Sequence, residues 1–434
     1  MSPEAEGAEK RDHARDENRR FSDFTGESTL AAKHAFGMQA RESQQRSPGR
    51  GRDDRRRTRG ALSPPLGELC AHIRAGRYIP SPVKRVDIPK PDGGTRMLGI
   101  PTVQDRLIQQ AIAQVLVEHF APTFSEFSYG FRPGRSAHQA IEQTRRYIAE
   151  GRSWIVERDL AKFFDTVNHD RLISVLERNC RDKMLIRLIR RYLRTGILAD
   201  GLVTPRDEGT PQGSPLSPIL SLIVLDELDK YLEKRGLKFC RYADDCNIYV
   251  GSERAGKRVL ENTIKFIEET LKLRVNRNKS GVFRPRGAKF LGYTFVGTTG
   301  QPLVHPKSFK RLKDKLRTVF YRARGGSLFR TIRVLNAILR GWRQYFKLDT
   351  RKGVFEELDI HIRRHLRKLV WIAWKRPKTR ERELRRRGLD KERAWKSANN
   401  GRGAWWNAGA LHMRDAFPKS FFRRQGLYSL LEMR

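Results

Sequence analysis

The pattern of apolar and polar positions divides this chain into stretches of different period. Residues 1–60 are polar, mixed in charge and poor in apolar periodicity. Such a segment cannot bury enough surface to offset its ordering entropy, so disorder is expected there. From Leu62 a short amphipathic helix is followed by two strand signals within residues 83–100, joined by Pro91-Asp92-Gly93-Gly94, which reads as a hairpin. Pro101–Arg106 opens a helix running through Val117. Trp154-Ile155-Val156 is an apolar strand signal. Helices are expected over His169–Asn179 (Asp170 near its start suits the dipole), over the basic amphipathic stretch 183–195, and over the apolar run Leu216–Leu232. Phe239–Val250 holds two β-forming runs around Ala243-Asp244-Asp245, a hairpin with carboxylates at its tip. Leu260, Ile264, Ile267 and Leu271 recur at helical spacing, marking a helix packed on a sheet. Past about residue 305 the period is helical throughout: Ile332, Leu335, Leu339 and Trp342 form one apolar face, and Leu358, Ile362, Leu366 and Leu369 another. No internal repeat is present. The pattern predicts an α+β part followed by an all-helical one.

Charge narrows the partners. The 434 residues carry a formal net charge of +40, and residues 301–434 alone hold 36 lysines and arginines against 11 acidic residues. A basic third interleaved with Trp and Phe suits a polyanion that also offers stacking surfaces. The competing reading is a solvated basic face or a membrane-surface patch. Cys70, Cys180, Cys240 and Cys246 form no Cys-x-x-Cys pair, so zinc is not expected. No apolar run approaches a membrane span and no signal-peptide core opens the chain, so a cytoplasmic protein without membrane contact is expected.

The candidate chemistry lies in carboxylates. Adjacent Asp244 and Asp245 repel, and both stay ionised cheaply only with water or a cation nearby. Mg²⁺ is the natural partner, since it takes oxygen ligands and leaves room for substrate phosphates. For an Asp-Asp pair taken alone, a solvated turn is the commoner explanation. Asp159, which follows the strand signal at 154–156, supplies a third carboxylate at the end of another strand and favours the metal reading.

Three motifs in order carry a family resemblance: Asp159 after its strand, Pro211-Gln212-Gly213-Ser214-Pro215-Leu216-Ser217-Pro218, and Tyr242-Ala243-Asp244-Asp245. The chain resembles the reverse transcriptases encoded by bacterial group II introns, which double as splicing maturases. The resemblance covers roughly Leu62 to the C-terminus. It implies a right-hand polymerase, with fingers and palm over 61–304, a helical thumb or maturase (X) domain over 305–393 and a basic DNA-binding extension over 394–434.

The resemblance also implies roles. Asp159 and Asp244, with the Leu160 carbonyl and the weaker ligand Asp245, would hold two Mg²⁺ ions, with Mn²⁺ as a substitute. Lys90 and Arg96 would grip the incoming triphosphate, and Lys279 would assist the leaving group. Phe164, five residues after Asp159, falls at the family's steric gate against a 2′-hydroxyl. Gln212 and Gly213 would contact the nucleotide. Arg132 and Arg135, in Ser128–Ser136, would meet phosphates, and Leu291, Gly292 and Tyr293 would grip the primer end. Arg340, Trp342, Arg343 and Tyr345 lie in the family-like thumb motif at 340–346. Trp395, Trp405 and Trp406 in the extension fit core packing as well as base stacking. Asp165 and His169 read as structural. The implied partners are group II intron RNA, an RNA template with DNA primer, target DNA and deoxynucleoside triphosphates. Family members often carry a zinc-dependent HNH nuclease; with no cysteine after Cys246 that module is not expected here, which points to the compact class C lineage. Two other readings stay open: a host-adopted or other non-intron reverse transcriptase, and an RNA-binding splicing factor with secondary polymerase activity.

Overall fold

The computed structural model describes residues 65–89, 94–199, 202–204, 208–210 and 212–432. The segment 1–60 and Lys90 lie outside the described residues. The chain divides between Pro285 and Arg286 into two compact units.

The first unit is mixed. Helix α1 (Leu66–Arg74) precedes strands β1 (Val83–Pro89) and β2 (Thr95–Ile100), which pair antiparallel with Ile88 opposite Arg96. Helices α2 (Val103–Phe120) and α3 (Ala137–Ala149) lead to β3 (Trp154–Arg158). The one-turn helix α4 (Phe163–Thr166), then α5 (His169–Asn179) and α6 (Lys183–Arg194), lead to the short strands β4 (Ile197–Ala199) and β5 (Leu202–Thr204). These join the first hairpin in a sheet of order β2-β1-β4-β5. Helix α7 (Ser217–Lys234) comes next, followed by β6 (Lys238–Tyr242), β7 (Asp245–Val250), α8 (Glu253–Glu269) and β8 (Gly281–Phe283). Strand β3, whose Ile155 and Val156 are wholly buried, lies between β7 and β8 in a second sheet of order β6-β7-β3-β8.

Helix α7 is apolar around most of its circumference, and such a helix is stable only inside a core. Ile219, Leu220, Leu222, Ile223, Val224, Leu225, Leu228 and Leu232 are all buried in the same cluster as Phe239, Cys246 and Ile248 of the second sheet. That packing gives the sheet a rigid floor. Cys240 and Cys246 are small buried strand residues, as their setting predicts.

The second unit opens with the hairpin β9 (Tyr293–Val296) and β10 (Gln301–Val304). The sequence groups this hairpin with the mixed part, up to residue 304. In the structure it belongs to the helices instead, because its ends bond into them. Tyr293 donates its hydroxyl to the Tyr345 carbonyl at 2.5 Å, and the Val304 amide donates to buried Asp349 at 2.8 Å. Helices α10 (Leu328–Tyr345) and α11 (Lys352–Ala373) supply the expected apolar faces, and α9 (Pro306–Arg322) adds Leu312, Leu316 and Phe320 to the same core. Short helices α12 (Pro377–Arg385), α13 (Lys391–Ala398), α14 (Ala404–Gly409), α15 (Leu411–Ala416) and α16 (Lys419–Arg424) complete the unit. Residue 394 marks no break in packing: Ala394, Met413, Ala416, Phe417, Phe422 and Leu430 share one core with Leu316, Leu335 and Leu366. Among the described residues no helix is long and apolar enough to cross a membrane.

Candidate active site

Strands β6 and β7 pair with Tyr242 opposite Asp245, so Ala243 and Asp244 are the two residues of the turn. A two-residue hairpin turn requires positive φ at its first position, where glycine is usual. Ala243 adopts φ 58° there, a conformation costing about 1–2 kcal/mol for a residue with a Cβ. Asp244 is half-buried and Asp245 exposed. Strand β3 pairs with β7 as far as Arg158 opposite Cys246. Asp159, one residue further, therefore reaches the same sheet end beside Asp245.

The strand end at Asp159 is held by the segment after α8. The Asp159 amide donates to Ser280 Oγ at 3.1 Å, and its carbonyl accepts from the Asn276 amide at 2.8 Å. Leu160 forms a bridge with Val275. Lys279, exposed on the turn that starts at Asn276, thus stands next to the residue that fixes Asp159.

After Leu160 the chain reverses through Lys162 at φ 50° into α4, which carries Phe164 and Asp165. Phe164 is half-buried, edge-on to Phe163 with ring centroids 5.2 Å apart. Residues 208–210, 212 and 213 dock on this turn. Thr210 donates its amide to the Phe164 carbonyl at 2.6 Å, and Gly209 lies against the Asp165 backbone so closely that a Cβ would overlap it. Gln212 Nε2 reaches Asp165 Oδ1 at 3.5 Å while its carbonyl accepts from the Gly99 amide of β2 at 2.9 Å. Gly213 has φ 109°, which favours glycine, and borders the Gly99 carbonyl. One continuous set of contacts so links Phe164, Asp165, Gln212 and Gly213 to the strand that carries exposed Arg96. His169 has the structural role expected, its Nε2 lying 2.7 Å from the Gly209 carbonyl.

Several proposed contacts have other work. Arg132 is half-buried and donates to the carbonyls of Ser125, Ser128 (3.0 Å) and Ala121 (3.2 Å), so it fixes its own loop. Arg135 is exposed over the Tyr129 ring. Within the helical unit, Tyr293 is buried, and burial pushes its phenol above the ordinary range. Its ring packs the turn. Leu291 (φ 49°) and Gly292 (φ 83°) form that turn, with the Leu291 carbonyl taking the Tyr345 hydroxyl at 2.9 Å. Arg343 is buried, donating to the Leu430 and Phe346 carbonyls and lying 4.3 Å above the Phe355 ring. Trp342 packs among Phe309, Phe346 and Phe355. Arg340 and Tyr345 reach the surface. So do Trp395, Trp405 and Trp406, the last two beneath the guanidinium groups of Arg364 and Arg402 at 4.2 and 4.1 Å.

Sequence reasoning missed the support beneath the turn. Arg241 and Asp229 are fully buried and joined as an ion pair, with Arg241 Nε 2.7 Å from Asp229 Oδ1. The signal was available: Asp226 and Asp229 fall among the apolar residues of the helix's buried face, where a charge needs a partner. Burial pushes the Asp226 carboxyl up, opposed by Lys230, and pushes the Cys246 thiol up.

Among the described residues no three carboxylate, histidine or cysteine side chains gather into a group that holds a metal ion by itself. The donors at the sheet end are all carboxylates, open to the surface at Asp244 and Asp245. That donor set fits a hard cation that keeps waters and takes its other ligands from substrate phosphates.

Two family descriptions match the chain: "Reverse transcriptase (RNA-dependent DNA polymerase)" over residues 88–295, and "Group II intron, maturase-specific domain" over residues 309–388. Protein YkfC of Escherichia coli is 32% identical over 275 residues, covering 54% of this chain and 72% of the relative. The group II intron-encoded protein LtrA of Lactococcus lactis is 36% identical over 218 residues, covering 50% of this chain but 35% of the relative. A solved telomerase from Candida albicans aligns with 83% of this chain and 68% of its own at 14% identity, with a TM-score of 0.44.

Proposed function

This chain belongs to the reverse transcriptase family and joins that domain to a group II intron maturase-specific domain, and from that premise we propose that it copies RNA into DNA at the Asp159–Asp244 sheet end and assists the splicing of its own intron RNA. The observation that carries the reading is the register that brings Asp159 and the Ala243-Asp244-Asp245 turn to one end of one sheet.

The family uses divalent metal ions. In this reading Asp159 and Asp244, with the Leu160 carbonyl, hold two Mg²⁺ ions, Asp245 gives weaker support, and Mn²⁺ substitutes. Such ions activate a primer hydroxyl and neutralise a leaving pyrophosphate. Arg96, with Lys90, draws the triphosphate to the β1–β2 hairpin, and Lys279 stands ready to donate toward the leaving group. Phe164 excludes a 2′-hydroxyl, while Gln212 and Gly213 line the nucleotide. Primed RNA template, deoxynucleoside triphosphates, intron RNA and target DNA are the partners, with the basic helical unit as the polyanion surface. Within this reading Leu291, Gly292 and Tyr293 shape the turn of a primer grip, and only Arg340 and Tyr345 of the thumb motif face a nucleic acid. A cytoplasmic protein of the compact bacterial class C lineage is part of the same reading, tested by whether the DNA flanking the reading frame encodes an intron RNA fold.

Asp244→Asn tests the chemistry. Template-dependent primer extension in Mg²⁺ is expected to fall by orders of magnitude, with RNA affinity preserved because the basic surface is untouched. Retained extension by the variant removes Asp244 from the site.

A further inference from the structure

We propose that Arg241, anchored on Asp229, is a positioning residue for polymerisation: with Gly130 it clamps Ala243 in its left-handed turn and so fixes Asp244 and Asp245 relative to Asp159. The inference rests on the polymerase reading above and adds to it the device that sets the carboxylate geometry.

A guanidinium at 0% exposure inside an apolar cluster needs a reason. A fully buried ion pair is poor evidence for stability, since well-packed apolar residues often serve as well. The donors of Arg241 show what else the pair does. Nε and Nη2 grip both oxygens of Asp229, which rides on the rigid helix α7. Nη1 donates at 3.0 Å to the carbonyl of Ala243, the residue just before Asp244. The planar fork thus ties the turn to the core helix, a geometry that a lysine ammonium cannot reproduce.

The main chain of Arg241 is tied as firmly. Its amide donates to the Phe127 carbonyl at 2.9 Å, and its carbonyl accepts from the Tyr129 amide at 2.8 Å. The segment at 127–129 so lies along the outer edge of β6 and delivers Gly130 to the turn. A Cβ at Gly130 would overlap the Ala243 amide nitrogen and approach its Cα at 3.0 Å. Ala243 is therefore held at its carbonyl by Arg241, while the Gly130 backbone lies so close to its amide that only glycine fits between them. Two forces oppose this arrangement: the strain of positive φ on a residue with a Cβ, and the repulsion of adjacent carboxylates. Without the clamp both favour a relaxed turn with displaced aspartates.

The test compares full-length wild type, Arg241→Lys and the double variant Arg241→Lys/Ala243→Gly. Three quantities are measured: single-turnover deoxynucleotide incorporation on primed RNA, primer–template Kd, and hydrogen–deuterium exchange across residues 242–246 and 154–158. Displacement of reacting groups by about 1 Å costs about 100-fold, so Arg241→Lys is expected to lose about that much rate with Kd unchanged. Exchange should quicken in 242–246 and stay as in wild type in 154–158. Glycine adopts positive φ without strain, so the double variant should regain part of the lost rate. Three results overturn the proposal: a wild-type rate in Arg241→Lys, loss of rate together with Kd and with protection in 154–158, or a double variant no faster than the single one. If Arg241→Lys does not fold, Asp229→Asn, which keeps the side-chain shape and removes the charge, goes through the same measurements under the same criteria. A wild-type protein without template-dependent synthesis overturns the polymerase reading instead.

Discussion

In the function proposed above, Phe164 is the side chain that sets sugar specificity. Its carbonyl is fixed by the Thr210 amide and its ring is braced by Phe163, so neither backbone nor ring can retreat readily. A rigid ring under the sugar rejects a 2′-hydroxyl by overlap. Phe164→Val is expected to cut discrimination against ribonucleotides by roughly 10- to 200-fold, while deoxynucleotide incorporation stays near wild type. Single-nucleotide incorporation with matched deoxy- and ribonucleoside triphosphates measures this, and equal discrimination removes Phe164 from the role. Residues whose chemistry is local are legible as candidates in this way, because an Asp-Asp pair or a phenyl ring carries its chemistry at its own position. Arg132, Tyr293 and Arg343 were not. A basic or aromatic residue in a loop or helix reads as a ligand contact until the structure shows which carbonyls it serves, and all three serve their own backbone. Arg241 failed in the opposite direction: its partner Asp229 is twelve residues away on another element, and only the fold joins them.

At the scale of the element, periodicity located the helices and hairpins well, since burial of one face is what creates the pattern. The same pattern could not show which unit an element joins. Hairpin β9–β10 carries its own strand-forming residues, and its membership is decided by Asp349 and Tyr345 far along the chain. Helix α11 adds a feature invisible to periodicity. His361 and His365 lie one turn apart, and His365 stacks on Phe320 at 4.4 Å beneath Trp405. Burial first, then the neighbouring His361, Lys368, Arg317 and Arg364 cations or imidazole, lowers His365 to about 4; burial likewise lowers His361. The unfolded chain therefore binds protons near pH 6.5 that the folded unit refuses. These groups contribute stability that is complete above about pH 6.5 and is lost as pH falls toward 4. The melting temperature is expected to drop across that window, and His365→Gln should flatten the drop. An identical pH profile for the variant means that His365 is not the group involved.

The whole molecule joins a mixed unit to a strongly basic helical unit, and composition and packing bear differently on its last forty residues. Their composition suggests a detachable nucleic-acid tail, yet Met413, Phe417, Phe422 and Leu430 are core residues of the helical unit. Ending the chain at Ala394 strips one side of that core. The expected result is loss of cooperative melting of the helical unit, measured by calorimetry, rather than a folded protein with weaker DNA binding.

Charge is better tested on the surface. Arg322, Arg324 and Arg330 are exposed around the loop between α9 and α10, together with the exposed rings of Tyr321 and Phe329, and no acidic residue lies between Tyr321 and Arg333. Replacing these three arginines by alanine touches no core contact, so the fold should hold. Each arginine that meets a phosphate releases counterions on binding, and its removal should flatten the log–log salt dependence of RNA affinity by about 0.7–0.9. Binding of intron-derived or generic RNA across a salt series, for wild type and the triple variant, reads the number directly. A slope lowered by about 2–3 assigns all three to phosphate contact. An unchanged slope means that this corner is a solvated face, and that the polyanion surface of the helical unit lies elsewhere on its 36 lysines and arginines of residues 301–434.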